Sequence, residues 1–263
     1  MKVAITTLSL GQNYTRDYTL RLIDDVLNKT IHSIYITTDC KSTITDKYGD
    51  NDRIFINEIS RDDIVVRLNT DGGFGTATDF NFNMRYMCLD PVKNLEDTIV
   101  VFTDCDNSLD WWDETEIQEW AIQMKNRGFD FFAPRNDYRL HMYLDMYNKA
   151  DNPKEGIFWH KLFNFDLINN PKPEWDNAPL PAEYILVFFN DGKKLEGFYN
   201  EWKKLHDHLV NQGWTHGTWA EGFEIGVSAL MSGYVPYDIS WHHHIWGKAF
   251  TANGYKVGHS TEH

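Results

Sequence analysis

Residues 98–107 read Thr98-Ile99-Val100-Val101-Phe102-Thr103-Asp104-Cys105-Asp106-Asn107. An almost unbroken apolar run of strand length, rich in β-branched side chains, is the pattern of a strand covered on both faces. It predicts a central strand of a parallel sheet. The run passes straight into two carboxylates, Asp104 and Asp106, set two residues apart. Open α/β sheets bind ligands in the crevice outside the carboxyl ends of their strands. Two Asp on one turn at that place can reach a single hard divalent cation, Mg²⁺ or Mn²⁺. A solvated turn competes with this reading for any Asp pair; the strand in front of it favours a site.

Working outward, the first half alternates strand and helix, the mark of a parallel sheet with crossover helices. Val3–Leu8 is a β-branched strand. Thr15 is expected to cap the next helix, with Asp17 in its first turn and Leu22, Ile23, Val26 and Leu27 on its apolar face. Ile34–Thr38 reads as a strand ending at Asp39, and Ile54–Ile59 and Ile64–Leu68 as further strands. Phe80–Cys88 is expected in a helix that stops before Pro91. A helix over Asp113–Asn126 closes at Gly128, and Phe129–Ala133 follows as a strand. Beyond it, Asn136–Pro181 holds many aromatics and the prolines Pro153, Pro171, Pro173 and Pro179, so short strands and loops are expected. Gly192–Asn211 and Trp219–Met231 return to helix, and a short strand leads to His242-His243-His244.

Composition narrows the class. With 42% hydrophobic and 24% charged residues among 263, the chain reads as an ordinary globular protein. No stretch approaches the roughly 20 apolar residues of a membrane span, and MKVAITTLSLG reads as a buried first strand, so a cytoplasmic location is expected. Cys40, Cys88 and Cys105 form no C-x-x-C pair, which argues against zinc or a disulfide framework. A net charge of −14 argues against broad, charge-driven nucleic-acid binding, though not against a local basic groove. The 10 Trp serve either as stacking platforms or as dense core.

Three segments resemble a known family. IVVFTDCDN (99–107) resembles the strand and D-x-D of GT-A glycosyltransferases. VAITTLSLGQNYTRDYTLRLIDDVL (3–27) resembles the first strand and helix of retaining members, the glycogenin-like and blood-group-like galactosyltransferase families. HHHIWGKAF (242–250) resembles the H-x-x-G…K segment of the glycogenin-like family, although Lys248 follows Gly247 at once and the usual Pro-Trp is missing. The resemblance implies one GT-A (Rossmann-like) α/β domain over 1–263, its mostly parallel central sheet flanked by helices. Residues 1–135 would bind the nucleotide-sugar and 136–263 would form the acceptor-side half, with 136–183 as an insertion.

It also implies roles. Asp104, Asp106 and His244 would hold Mn²⁺ or Mg²⁺ on the donor's diphosphate, with Lys248 on the phosphates. The backbone of Thr6, Thr7 and Leu8 would read the base, Tyr14 would stack on it, and Asp39 would bind its imide or ribose. Asp71-Gly72-Gly73-Phe74-Gly75 is a loop able to close over substrate. Asp79, Asn83 and Arg85 follow at helical spacing, Arg85 near the sugar or diphosphate. In Trp219-Ala220-Glu221-Gly222-Phe223-Glu224, Glu221 and Glu224 are three apart and share a helix face. One of them would act as a base or stabilise an oxocarbenium-like centre. In an extended segment His242 and His244 face one way and His243 the other, and imidazole suits Mn²⁺.

The function expected is transfer of a hexosyl or pentosyl unit from a UDP-sugar to a hydroxyl acceptor. That acceptor would be a glycan, a lipid-linked saccharide, a protein or a hydroxymethylated base in DNA. A small chain so rich in Asn and aromatics suggests a phage protein, and so the host cytoplasm and modified phage DNA. A nucleotidyltransferase shares the sheet but should carry a Gly-rich, basic loop where this chain has Gly11-Gln12-Asn13-Tyr14. A non-catalytic carbohydrate-binding protein explains the Trp residues but not the buried strand that feeds Asp104.

Overall fold

The computed structural model describes residues 1–60, 84–133, 185–211, 219–234 and 236–238. Within them lie strands β1 (Lys2–Ser9), β2 (Ser33–Thr38), β3 (Ile54–Glu58), β4 (Thr98–Thr103), β5 (Phe131–Ala133), β6 (Ile185–Asn190) and β7 (Pro236–Asp238). They form one sheet in the order β3-β2-β1-β4-β6-β5-β7. β1 runs parallel to β2 and β4, and β2 to β3. β6 opposes both β4 and β5, while β5 is parallel to β7. Among the described strands β6 alone is therefore reversed, and the mostly parallel α/β architecture expected from the sequence is what the chain adopts. All six residues of β4 are buried, as a strand flanked on both sides and covered on both faces must be.

Side chains alternate across each strand, and the two parities build two separate cores. Val3 and Ile5 of β1 join Ile99 and Val101 of β4 on one face. They meet Leu22, Ile23 and Val26 of α2 (Leu20–Lys29), and Ile117, Ala121 and Met124 of α4 (Glu114–Arg127). On the other face Ala4, Val100 and Phe102 meet Tyr86, Cys88 and Leu89 of a 3₁₀ turn (Met84–Leu89). Phe198 and Trp202 of α5 (Lys194–Asn211) and Ile225 and Ala229 of α6 (Trp219–Ser232) complete that layer. Each such fully buried Leu, Ile, Val or Phe contributes on the order of 1.5–3 kcal/mol.

Several sequence expectations shift. The first helical run begins earlier than expected, as α1 (Gln12–Tyr14), and passes through a π turn (Thr15–Thr19) before α2. Thr15 is therefore not a cap. It is buried, and its hydroxyl donates to the Gly11 carbonyl at 3.0 Å and meets Ser9 Oγ at 2.9 Å. Thr19 also donates to Ser9 Oγ, at 2.6 Å. Three hydroxyls sharing one pocket hold the turn wide; π turns of this kind recur at functional sites. Asp17 pairs with its neighbour Arg16 on the surface instead of supporting a helix end. Of the helix expected over Phe80–Cys88, the described part, from Met84, is a 3₁₀ turn. Helix α3 (Lys41–Tyr48) and strand β6 were not anticipated. α4 matches closely: Asp113 caps its start by accepting from Glu116 N–H at 3.1 Å, and Gly128 ends it at φ 74°. Strand 64–68 and the loops of 136–181 lie outside the described residues.

Candidate functional site

In a sheet whose strands run the same way, the carboxyl ends of β1, β2 and β4 emerge at one edge. β1 sits between β2 and β4, so successive crossovers leave it in opposite directions. The gap between the ends of β1 and β4 is thus the topological switch point, where such sheets open a crevice. Asp104 and Asp106 follow β4 there, and Tyr14 follows β1.

The turn that carries the two carboxylates is closed by Asn107, whose backbone N–H donates to the Asp104 carbonyl at 3.1 Å. The Asn107 side chain donates to Thr103 Oγ1 at 3.1 Å. Cys105 is turned inward, 3% exposed and packed with the α2–α4 core, while Asp104 and Asp106 stay half-buried. Arg85, on the 3₁₀ turn, brings its Nη2 to 3.1 Å from Asp104 Oδ1 and lies over the Phe102 ring at 5.5 Å. Arg85 thus reaches Asp104 from the α5–α6 side of the sheet.

Asp106 is held from the opposite side. The Tyr14 hydroxyl donates to its Oδ2 at 3.3 Å, and Arg21 Nη2 donates to its backbone carbonyl. Farther along α2, Asp25 Oδ2 accepts from the Leu109 N–H at 3.0 Å, and Lys29 reaches Asp110 Oδ1 at 2.7 Å. Arg21, Asp25 and Lys29 are successive positions four apart, one face of a helix, and together they grip residues 106–110. Sequence reasoning missed this stripe. Its signal was the four-residue spacing of Arg, Asp and Lys, which has meaning only once the loop it faces is known.

The other expected donor residues are placed as follows. Thr6 and Thr7 are fully buried. Thr6 lies in β1 between Tyr35 of β2 and Phe102 of β4, its hydroxyl donating to the Cys88 carbonyl. Thr7 follows it, paired with Ile36 of β2, beyond the last β1–β4 pair at Thr6 and Phe102. Leu8, half-buried, stays nearer the edge. Asp39 accepts from the Gly11 N–H at 2.7 Å, tying the end of β2 to the turn after β1. Gly11 adopts φ 89°, a backbone region that glycine enters without strain. The Tyr14 ring leans on Tyr18, centroids 4.9 Å apart and tilted 48°. Its hydroxyl reaches a carboxylate, a contact the stacking expectation did not include.

Glu224 is wholly buried between α5 and α6, accepting from Trp202 Nε1 at 2.9 Å, with His206 Nδ1 at 3.6 Å. The helix face that Glu224 occupies is an internal one. Glu221 falls on α6 by its backbone; its side chain lies outside the described residues. So do Asp79, Asn83, Lys248, His242, His243, His244 and the loop 71–75.

Burial, and then the charges of Asp106, Cys105 and Asp104, push the Tyr14 hydroxyl well above its ordinary range. Burial, and then the same two carboxylates, push the Cys105 thiol up in the same way. At neutral pH Tyr14 is therefore a hydrogen-bond donor, and Cys105 is an inert packing group. Asp104 and Asp106 are hard oxygen donors on a single turn, and both act electrostatically on the same two neighbours. That donor set fits a hard divalent cation. No cluster of three or more His, Cys, Asp or Glu occurs among the described residues, and none of their helices is long and apolar enough to cross a membrane.

The fold defines an α/β chain with a pair of half-buried carboxylates at its sheet switch point. No protein-family model and no curated protein matches the sequence. Among solved structures, it is similar to mouse xyloside xylosyltransferase 1 in its apo form. That match has 9% identity, covers 96% of this chain and 91% of that one, and has a TM-score of 0.44. It is also similar to 2-C-methyl-D-erythritol 4-phosphate cytidylyltransferase from Francisella tularensis, at 12% identity, 97% and 100% coverage and TM-score 0.40. A third is glucosyl-3-phosphoglycerate synthase from Mycobacterium tuberculosis, solved with Mn²⁺, UDP and glucosyl-3-phosphoglycerate. There the identity is 12%, the coverage 90% and 81%, and the TM-score 0.34.

Proposed function

We propose that this chain is a metal-dependent glycosyltransferase that moves a sugar from a nucleotide-diphosphate donor, a UDP-sugar, to a hydroxyl acceptor. The observation that carries the reading is the position of Asp104 and Asp106, half-buried at the switch-point end of a fully buried central strand. Asp104 and Asp106 would hold Mn²⁺ or Mg²⁺, with His244 of the C-terminal segment as a further ligand. Bound there, the ion would offset the charge that builds on the departing nucleoside diphosphate. Arg85 adds a fixed positive group beside Asp104, suited to the same anion. Tyr14, kept protonated, donates toward Asp106. The turn after β1, Gly11-Gln12-Asn13-Tyr14, lacks the basic, Gly-rich character that a nucleotidyltransferase needs for its triphosphate.

The acceptor hydroxyl belongs, in this reading, to a glycan or to a hydroxymethylated base in DNA, the latter if the chain is phage-encoded. Calorimetry with UDP and Mn²⁺ tests the donor half directly. Binding should require the metal, and Asp104→Ala or Asp106→Ala should weaken it by a factor of 100 or more, on the order of 3 kcal/mol. Unchanged binding in both variants rejects the site. A panel of UDP-sugars assayed for Mn²⁺-dependent hydrolysis then identifies the sugar; no turnover of any nucleotide-sugar, with or without acceptors, rejects the glycosyltransferase reading.

A further inference from the structure

Tyr14, Arg21 and Arg85 bring contacts to Asp104 and Asp106 from three elements. Those that touch Asp106 form a connected set. Tyr14 donates to the Asp106 carboxylate at 3.3 Å, and its ring leans on Tyr18 at 4.9 Å. The Arg21 guanidinium lies over the other side of that assembly, 5.8 Å from the Tyr18 ring, and donates to the Asp106 carbonyl. The chain of contacts closes on itself: Asp106 carboxylate, Tyr14, Tyr18, Arg21, Asp106 backbone. It spans the π turn, which the buried Ser9, Thr15 and Thr19 hydroxyls hold open.

One anchor acts on the carboxylate and the other on its own peptide. Together they restrain the side-chain torsions and the backbone of a single residue, and that is what a preformed ligand needs. Asp104 is treated differently, with Arg85 as an ionic partner, so the two carboxylates are not equivalent.

We infer that Tyr14 and Arg21 are positioning residues for Asp106, aiming its carboxylate at a divalent cation, with Tyr18 as the packing piece between them. The inference rests on the proposed cation role of Asp104 and Asp106. A hydrogen bond to a metal-ligating carboxylate fixes its orientation and leaves its remaining lone pairs for the ion. Removing such a partner ordinarily weakens metal binding by about 10- to 100-fold. A purely architectural role, in which Tyr14 and Arg21 only pin the helix to the β4 turn, would lower the melting temperature and leave the cation affinity alone.

Mn²⁺ titrated into the full chain, followed by loss of the free-ion electron paramagnetic resonance signal, separates these cases without any turnover. Tyr14→Phe, which keeps the ring and loses only the hydroxyl, should weaken Mn²⁺ binding about tenfold with the melting temperature unchanged. Arg21→Ala should weaken it as well, and Arg21→Lys, which restores a donor to the carbonyl, should recover much of the loss. Asp106→Ala should abolish binding. If Asp106→Ala abolishes binding while Tyr14→Phe and Arg21→Ala bind as the unsubstituted chain does, the positioning role is overturned and the metal site stands. If Asp106→Ala itself binds Mn²⁺ normally, the underlying site is overturned.

Discussion

Glu224 is the residue whose surroundings differ most from what its letter suggests. A carboxylate with no exposure, next to a Trp N–H and a His, has lost far more solvation than one hydrogen bond returns. Burial accordingly raises its pKa, the nearby His206 and Trp202 opposing the shift only in part. The folded protein therefore binds this proton more tightly than the unfolded chain, whose Glu ionises near 4.5. The sign follows: the contribution to stability is full below that pH and is lost as pH rises through the folded-state value. Glu224→Gln keeps an acceptor for Trp202 and removes the ionisation. We expect melting temperatures measured from pH 4.5 upward to fall less steeply in this variant than in the parent chain. An identical slope in both would mean that another group sets the pH dependence. The sequence showed that Glu221 and Glu224 share a helix face, but spacing cannot say whether that face is inside or outside. Asp104 and Asp106 were legible for the opposite reason, because the strand before them announces its own burial.

At the scale of elements, α4 carries its own start and stop signals. Asp113 accepts from the Glu116 N–H, acidic Glu114 and Glu116 occupy the first turn, and Lys125 and Arg127 the last. Gly128 receives the chain at φ 74° with open space around its Cβ position. Asp113→Ala should cost about 1 kcal/mol through the lost cap. Gly128→Ala should cost about 1 kcal/mol from backbone strain alone, since nothing crowds the added methyl. Urea midpoints measure both, and a neutral Gly128→Ala would contradict the left-handed end. Such local signals made α4 readable from sequence nearly to the residue. The Arg21–Asp25–Lys29 stripe was not readable, because its partners lie more than 80 residues away. Strand β6 escaped for a related reason. Ile185–Asn190 is a short apolar run that periodicity cannot assign to strand or helix, and its partner β4 lies far off in the chain.

Across the molecule, all three cysteines, Cys40, Cys88 and Cys105, are free and buried. The thiolate is the reactive form, and for Cys105 burial suppresses it further. The native protein should leave a thiol reagent such as dithionitrobenzoate unreacted, then consume three equivalents on unfolding in guanidinium. Rapid reaction of any one thiol in the native state would mean that its layer opens. The reversal of β6 has a different consequence, for how such a protein can change. The chain leaves β5 at Ala133 and re-enters the sheet at Ile185, which lies opposite Thr103, the residue before Asp104. Because β5 and β6 are antiparallel neighbours, both points of attachment fall on the carboxylate-bearing edge. The 51 intervening residues thus begin and end at adjoining strand ends. On the proposed function, replacing residues 134–184 should change acceptor choice and leave Mn²⁺–UDP affinity unaltered, because the registers of β4, β5 and β6 are set on either side of them.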